Sequence, residues 1–130
     1  MMQSGNYDSK SLIYNKALEI KMLSRDISRY LNYDMTSLCK EGKENPAIYL
    51  TGDIILHSYL IETSIIEAEN EMFSEHREKY ITAIEKWTHR LHKNCERLEQ
   101  SVDNGKDFIR LLKYEIRKFR VLHRKWRMSL

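Results

Sequence analysis

Near the end of the chain six basic residues, Arg110, Lys113, Arg117, Arg120, Arg124 and Arg127, repeat at spacings of three and four. On a helix that rhythm sets them in one stripe, about 140 degrees round the axis from the apolar residues of the same segment. All but Lys113 are Arg, whose planar fork suits bidentate contact with phosphate oxygens. A second row, Lys86, Arg90, Lys93 and Arg97, preceded by Lys79, follows the same rhythm one segment earlier. Adjacent antiparallel helices could present the two rows side by side. The chemistry they suit is sequence-tolerant, salt-dependent binding of RNA or DNA through phosphate. Contact with an acidic protein partner and plain solvation of an amphipathic helix are the other two readings. A solvated face ordinarily mixes signs, whereas no acid falls on the Arg110 to Arg127 stripe. Nucleic-acid contact is therefore the first reading.

Other candidate chemistry is thinner. Glu85, His89, His92, Glu96 and Glu99 share one flank of a helical segment, and carboxylate–imidazole spacing of this kind can hold a metal. Di-metal bundles draw inward-pointing carboxylates from several helices, and no other segment offers a Glu-x-x-His match. Solvated or subunit-contact residues are the reading, with no metal and no cofactor. Glu115 falls within the apolar arc of its segment, so an inter-helix or inter-subunit ion pair is expected for it. Cys95 lies on an apolar face and reads as an inert small hydrophobe. Cys39 sits beside Lys40 in an expected loop, without the His–Cys constellation of a nucleophile. His57 and His123 read as lone structural histidines. Gly-rich phosphate loops, Ser-His-Asp arrangements and zinc spacings do not occur, so a non-enzymatic role is expected.

The charge balance agrees with a basic C-terminal surface. The 130 residues carry a net +3, but residues 1–80 hold 9 Lys/Arg against 13 Asp/Glu and residues 81–130 hold 13 against 6. Such a local positive field attracts polyanions even when total charge is modest. Pairing of the two ends, within one chain or between subunits, is the alternative. With 42% hydrophobic and 32% charged residues the chain reads as one folded domain, 1–130. Its single Pro and four Gly argue against a many-turned sandwich or barrel. No run approaches the ~18 apolar residues of a membrane span, the opening residues do not resemble a signal peptide, and two cysteines supply no disulfide framework. A cytoplasmic protein without membrane contact is expected.

These side chains need elements to position them, and the patterning has a period of 3.6 nearly throughout. A first helix, about 9–33, places Ile13, Ala17, Ile20, Ile27 and Leu31 on one face, with Ser9 or Ser11 as its cap and residues 1–8 as a flexible start. Asp34 to Asn45 reads as a loop. Asn45-Pro46 is a helix-start signal for a second helix, 46–72. Phe73-Ser74 makes a corner, Ser74 caps a third helix, 75–102, and that helix carries Tyr80, Ile84, Trp87, Leu91, Cys95, Leu98 and Val102. Asp103-Asn104-Gly105 is a turn signal before a fourth, 106–128, with Phe108, Leu112, Phe119, Leu122 and Trp126 inside. Short second and third connections force antiparallel neighbours, so the expected fold is an all-α, up-down-up-down antiparallel four-helix bundle.

The second helix is apolar over most of its circumference. Ala47, Thr51, Ile54, Ser58, Ile61, Ile65, Ala68 and Met72 fill one face, while Ile48, Ile55, Tyr59 and Ile66 form another, with Leu56 and Leu60 further round. A helix this apolar is central or covered by a partner, so a homo-oligomer with Ile48, Ile55, Tyr59 and Ile66 at its interface is expected.

The same helix resembles a bacterial four-helix-bundle family on Tyr49-Leu50-Thr51, Ile54, Ser58, Ile61, Ile65 and Glu67-Ala68, and Tyr14 to Ile20 is similar to that family's first helix. The family comprises proteins encoded in intervening sequences of 23S rRNA genes and is similar in fold to the accessory variability determinant proteins of diversity-generating retroelements. The resemblance implies a pentamer. It also implies an accessory that binds a reverse transcriptase and nucleic acid through a positive surface. A protein-interaction scaffold of the rRNA-associated type is the alternative it carries.

Overall fold

The computed structural model describes residues 5–39 and 47–130, with side chains for 10–32 and 47–130. The described residues form four helices and no strand: α1 (Gly5–Cys39), α2 (Ala47–Asn70), α3 (Ser74–Ser101) and α4 (Lys106–Ser129). Each helix packs on two others: α1 and α3 both lie against α2 and α4. This arrangement is consistent with a four-helix bundle.

The first-helix stripe is buried as its spacing dictates, with Ile13, Ala17, Ile20, Ile27 and Leu31 at most 2% exposed. On α2 the face from Ala47 to Ala68 is buried likewise. Met72 does not join it: the helix ends at Asn70 and Met72 is 86% exposed. In α3 and α4 the core shifts slightly round from the expected line. Ile81, Ile109 and Ile116 are buried, while Tyr80, Trp87, Phe108 and Leu122 pack against the core from its margin. Each fully buried Ile, Leu or Phe contributes about 1.5–3 kcal/mol over its exposed state. Trp126, fully buried near the end of α4, donates its indole N–H to Glu69 of α2, and Glu69 in turn meets Lys10 of α1 at 3.0 Å.

Helix boundaries depart from expectation in three places. The first helix begins by Gly5 and continues to Cys39, so Asp34 to Cys39 are helical. No Gly or Pro occurs between Asp34 and Cys39 to stop it. The side chain of Cys39, residues 1–4 of the expected flexible start and the Asn45-Pro46 start signal lie outside the described residues. Ser74 is the first helical residue of α3 and not its cap. Phe73, with extended backbone and no side-chain cap hydrogen bond, holds the cap position, and the amides of His76 and Arg77 bond the Phe73 carbonyl. Before α4 the chain turns at Gly105, with φ +89°. A Cβ there would stand 3.0 Å from the Tyr30 ring and 3.1 Å from Leu31. Glycine is therefore required both for the left-handed backbone and for the close approach to α1.

Candidate nucleic-acid interface

The stripe of α4 faces the seam with α3, and its members differ in what they meet. At the end near the Gly105 turn, Arg110 Nε donates to Glu99 at 2.8 Å and Arg110 Nη1 meets Asp107 at 3.3 Å. Lys113 donates to the other oxygen of Glu99 at 3.0 Å. These two cations hold the Glu99 carboxyl below the usual carboxylate range. At the far end Arg127 forks between Glu78 and Glu85, 2.7 Å from each. Arg117, Arg120 and Arg124, between these clamps, form no ion pair among the described residues. Arg117 rests over the Tyr114 ring at 6.0 Å, and Arg120 is half-buried while Arg124 is exposed.

The row on α3 that lines this seam explains the pattern. Glu78, Glu85, His92 and Glu99 recur every seven residues, two helical turns apart and hence on one line of the helix. Three positions carry acids that clamp the stripe's ends. The remaining one is His92, which meets Glu96 of its own helix at 3.6 Å. Burial, then the nearby Arg120 charge, push its pKa down against the pull of Glu96, with Lys113 and Arg117 adding to the push. An imidazole so placed stays neutral at neutral pH and leaves the middle arginines without a counter-charge.

The second basic row lies elsewhere on α3. Lys86 and Arg90 flank the face of Trp87, at 4.9 and 5.2 Å from its ring centre, and Trp87 stacks on His57 of α2. Lys93 and Arg97 are exposed, with Glu96 at 4.0 Å from Lys93. The possible side-by-side arrangement of the two rows is not the one adopted: the acidic line of α3 meets the α4 stripe. The spacing of seven among Glu78, Glu85 and Glu99 was the signal for this.

The remaining candidates fall into place locally. Glu115 meets Lys16 of α1 at 2.7 Å, an inter-helix pair. The Lys16 hydrogen bond lowers the Glu115 pKa. On Lys16, burial lowers the pKa but the bonds to Glu115 and Glu19 outweigh it, so the net shift is upward. Burial pushes the Cys95 thiol up to about 12, leaving an inert hydrophobe. His57 is buried against Asn94 at 3.3 Å. No group of three or more His, Cys, Asp or Glu stands within metal-binding reach among the described residues. The Glu85, His89, His92, Glu96 and Glu99 flank instead spends Glu85 and Glu99 on α4.

Of the four apolar residues expected at an interface, Ile48 packs against the core and Ile55 is half-buried. Tyr59 and Ile66 are 51% and 39% exposed, and Leu56 beside them is 49% exposed. None of the described helices is long and apolar enough to cross a membrane. Comparison of the chain with protein-family models, with curated proteins and with solved structures gave no match.

Proposed function

We propose that the chain is a non-enzymatic, oligomeric nucleic-acid-binding protein whose phosphate contacts centre on Arg117, Arg120 and Arg124. Lys86, Arg90, Lys93 and Arg97 supply a second, separate row. The observation that carries the reading is the middle of the stripe: Arg117, Arg120 and Arg124 lie on the α3-facing side of α4 with no ion pair among the described residues, between ends that α3 neutralises. In this reading the helices run up-down-up-down, as supported by the descending partners of α1 on α2, Lys10 with Glu69 and Lys21 with Glu62. Copies meet through the exposed Leu56, Tyr59 and Ile66, as a pentamer if the resemblance of α2 holds. That resemblance makes a reverse transcriptase the enzyme assisted, in the cytoplasm. Anisotropy titrations of RNA and DNA across a salt series test the reading, with light scattering on the same samples. Affinity that falls steeply with salt, at about 0.7 to 0.9 of a log unit per neutralised phosphate per log unit of salt, is the expected result. A well-folded oligomer that binds neither polymer at low salt would sink it.

A protein-interaction scaffold is the second reading. It is favoured by the exposed Leu56, Tyr59 and Ile66, which suit a protein partner as well as a second copy. It predicts association that persists in high salt, because apolar burial is not screened.

A further inference from the structure

Between α3 and α4 lies a cavity of about 220 Å³ lined by Glu85, Thr88, Phe119, Arg120, His123 and Arg124. His123 is only 5% exposed and its Nε2 has no hydrogen-bond partner. Buried polar atoms of this kind are nearly always satisfied. We propose that this cavity is a binding site for a phosphate monoester, gripped by Arg120 and Arg124 and hydrogen-bonded to Nε2 of His123.

The chemistry of the lining selects that ligand. The Ile81 backbone raises the basicity of the His123 ring, the effect of a carbonyl that accepts the ring hydrogen. In a neutral imidazole the other nitrogen is then a lone-pair acceptor. Burial, the dominant influence, keeps His123 neutral, with Glu85 of α3 pulling its pKa up and Arg127 of α4 pushing it down. A ligand must therefore bring a hydrogen for Nε2 and negative charge for Arg120 and Arg124. A phosphate monoester carries both in its monoanion, the form that persists up to its second pKa near 6. Sulfate, carboxylate and an internal phosphodiester carry the charge without the hydrogen. Thr88 Oγ1 already donates to the Ile84 carbonyl at 2.6 Å, so it offers lone pairs only and the guanidinium groups must be the donors. Glu85 on the rim is held by Arg127 at 2.7 Å, which offsets its repulsion of an anion. The space is ample for one phosphoryl group with a few waters. The site goes beyond contact along the stripe and stands whether or not the chain binds polynucleotide.

The test is a titration of the full chain with inorganic phosphate and, separately, with sulfate at constant ionic strength near pH 6.5. It follows the His123 ring ¹⁵N resonances and the melting temperature. Phosphate is expected to shift Nε2 and raise the melting temperature. Sulfate should need about tenfold or more higher concentration, since a site built for a hydrogen bond rejects a ligand lacking it. Arg120→Gln/Arg124→Gln should lose the phosphate response, whereas Lys125→Gln, exposed on α4 outside the lining, should keep it. An unmoved His123 resonance, equal responses to the two anions, or a full response in Arg120→Gln/Arg124→Gln would each overturn the site. Two oligonucleotides differing only in a 5′-phosphate identify the source. About tenfold tighter binding of the phosphorylated one assigns the ligand to a nucleic-acid end. Equal affinity, with the inorganic-phosphate response intact, assigns it to a free phosphomonoester. If neither oligonucleotide binds, the stripe reading fails while the phosphate response still decides the cavity.

Discussion

The two ends of the α4 stripe and its middle are built from the same residue types at the same spacing, yet they do different work. Arg110, Lys113 and Arg127 are tied to Glu99, Glu78 and Glu85, while Arg117, Arg120 and Arg124 have no ion pair among the described residues. The difference comes from the opposing helix, where a line of acids at intervals of seven is interrupted by His92. A basic stripe is thus clamped where an acid faces it and left without a counter-charge where a neutral group does. Charge counted along one helix cannot distinguish the two.

The comparison breaks most directly by reversing the middle. Arg117→Glu/Arg120→Glu/Arg124→Glu is expected to weaken RNA or DNA binding by roughly a hundredfold or more at moderate salt, because three phosphate contacts become repulsions. Circular dichroism should show the helices intact, the changed side chains lying outside the core. His92→Glu is the next largest perturbation and leaves every Arg in place. It restores the interrupted line of acids, and anisotropy titrations should show about a tenfold loss of affinity. An unchanged affinity in this variant would mean that the neutral position is irrelevant to the stripe.

Burial sharpens the contrast between kinds of ion pair. Lys16 and Glu115 have side chains 17% and 14% exposed, against 44% for Arg127 with 51% and 52% for its two acids. Glu115→Gln leaves a half-buried ammonium with a weaker partner and should destabilise the fold by about 1–3 kcal/mol in urea titrations. Arg127→Gln should cost less than about 1 kcal/mol, since exposed pairs are screened by solvent.

Acid should act on the same seam. Burial lowers the pKa values of His57, His92 and His123 in the folded chain, so the unfolded chain takes up these protons first. Stability is then fully present above the ordinary histidine value of about 6.5 and is lost as pH falls below it towards the folded values. The melting temperature should drop modestly between pH 7.5 and about 5.5. A further loss should come below the ordinary carboxylate range, where Glu99 and Glu115 lose their pairs.

Periodicity made the core of α1 legible because burial on one face is a local signal: Ile13, Ala17, Ile20, Ile27 and Leu31 need only their own spacing to be found. Gly105 was legible for the same reason, its turn being set by neighbours in sequence. Helix ends were less so, since Asp34 to Cys39 carry loop-like residues without an actual breaker. The stripe itself was legible, but its division into clamp and free segment depends on which side of α3 meets α4. That is a property of packing between helices, expressed in sequence only as the spacing of Glu78, Glu85 and Glu99. The cavity at His123 gave no such signal, because an unpaired ring nitrogen exists only once Ile81 and Arg120 are folded round it.

The decisive measurement compares two triple variants in one salt series of RNA binding, Arg117→Gln/Arg120→Gln/Arg124→Gln for the middle and Arg110→Gln/Lys113→Gln/Arg127→Gln for the ends. Both remove the same formal charge. The account predicts that the middle variant lowers the slope of log affinity against log salt by about 2, at about 0.7 per phosphate on a single strand, while the ends variant leaves it nearly unchanged. Equal slopes for the two variants would contradict it.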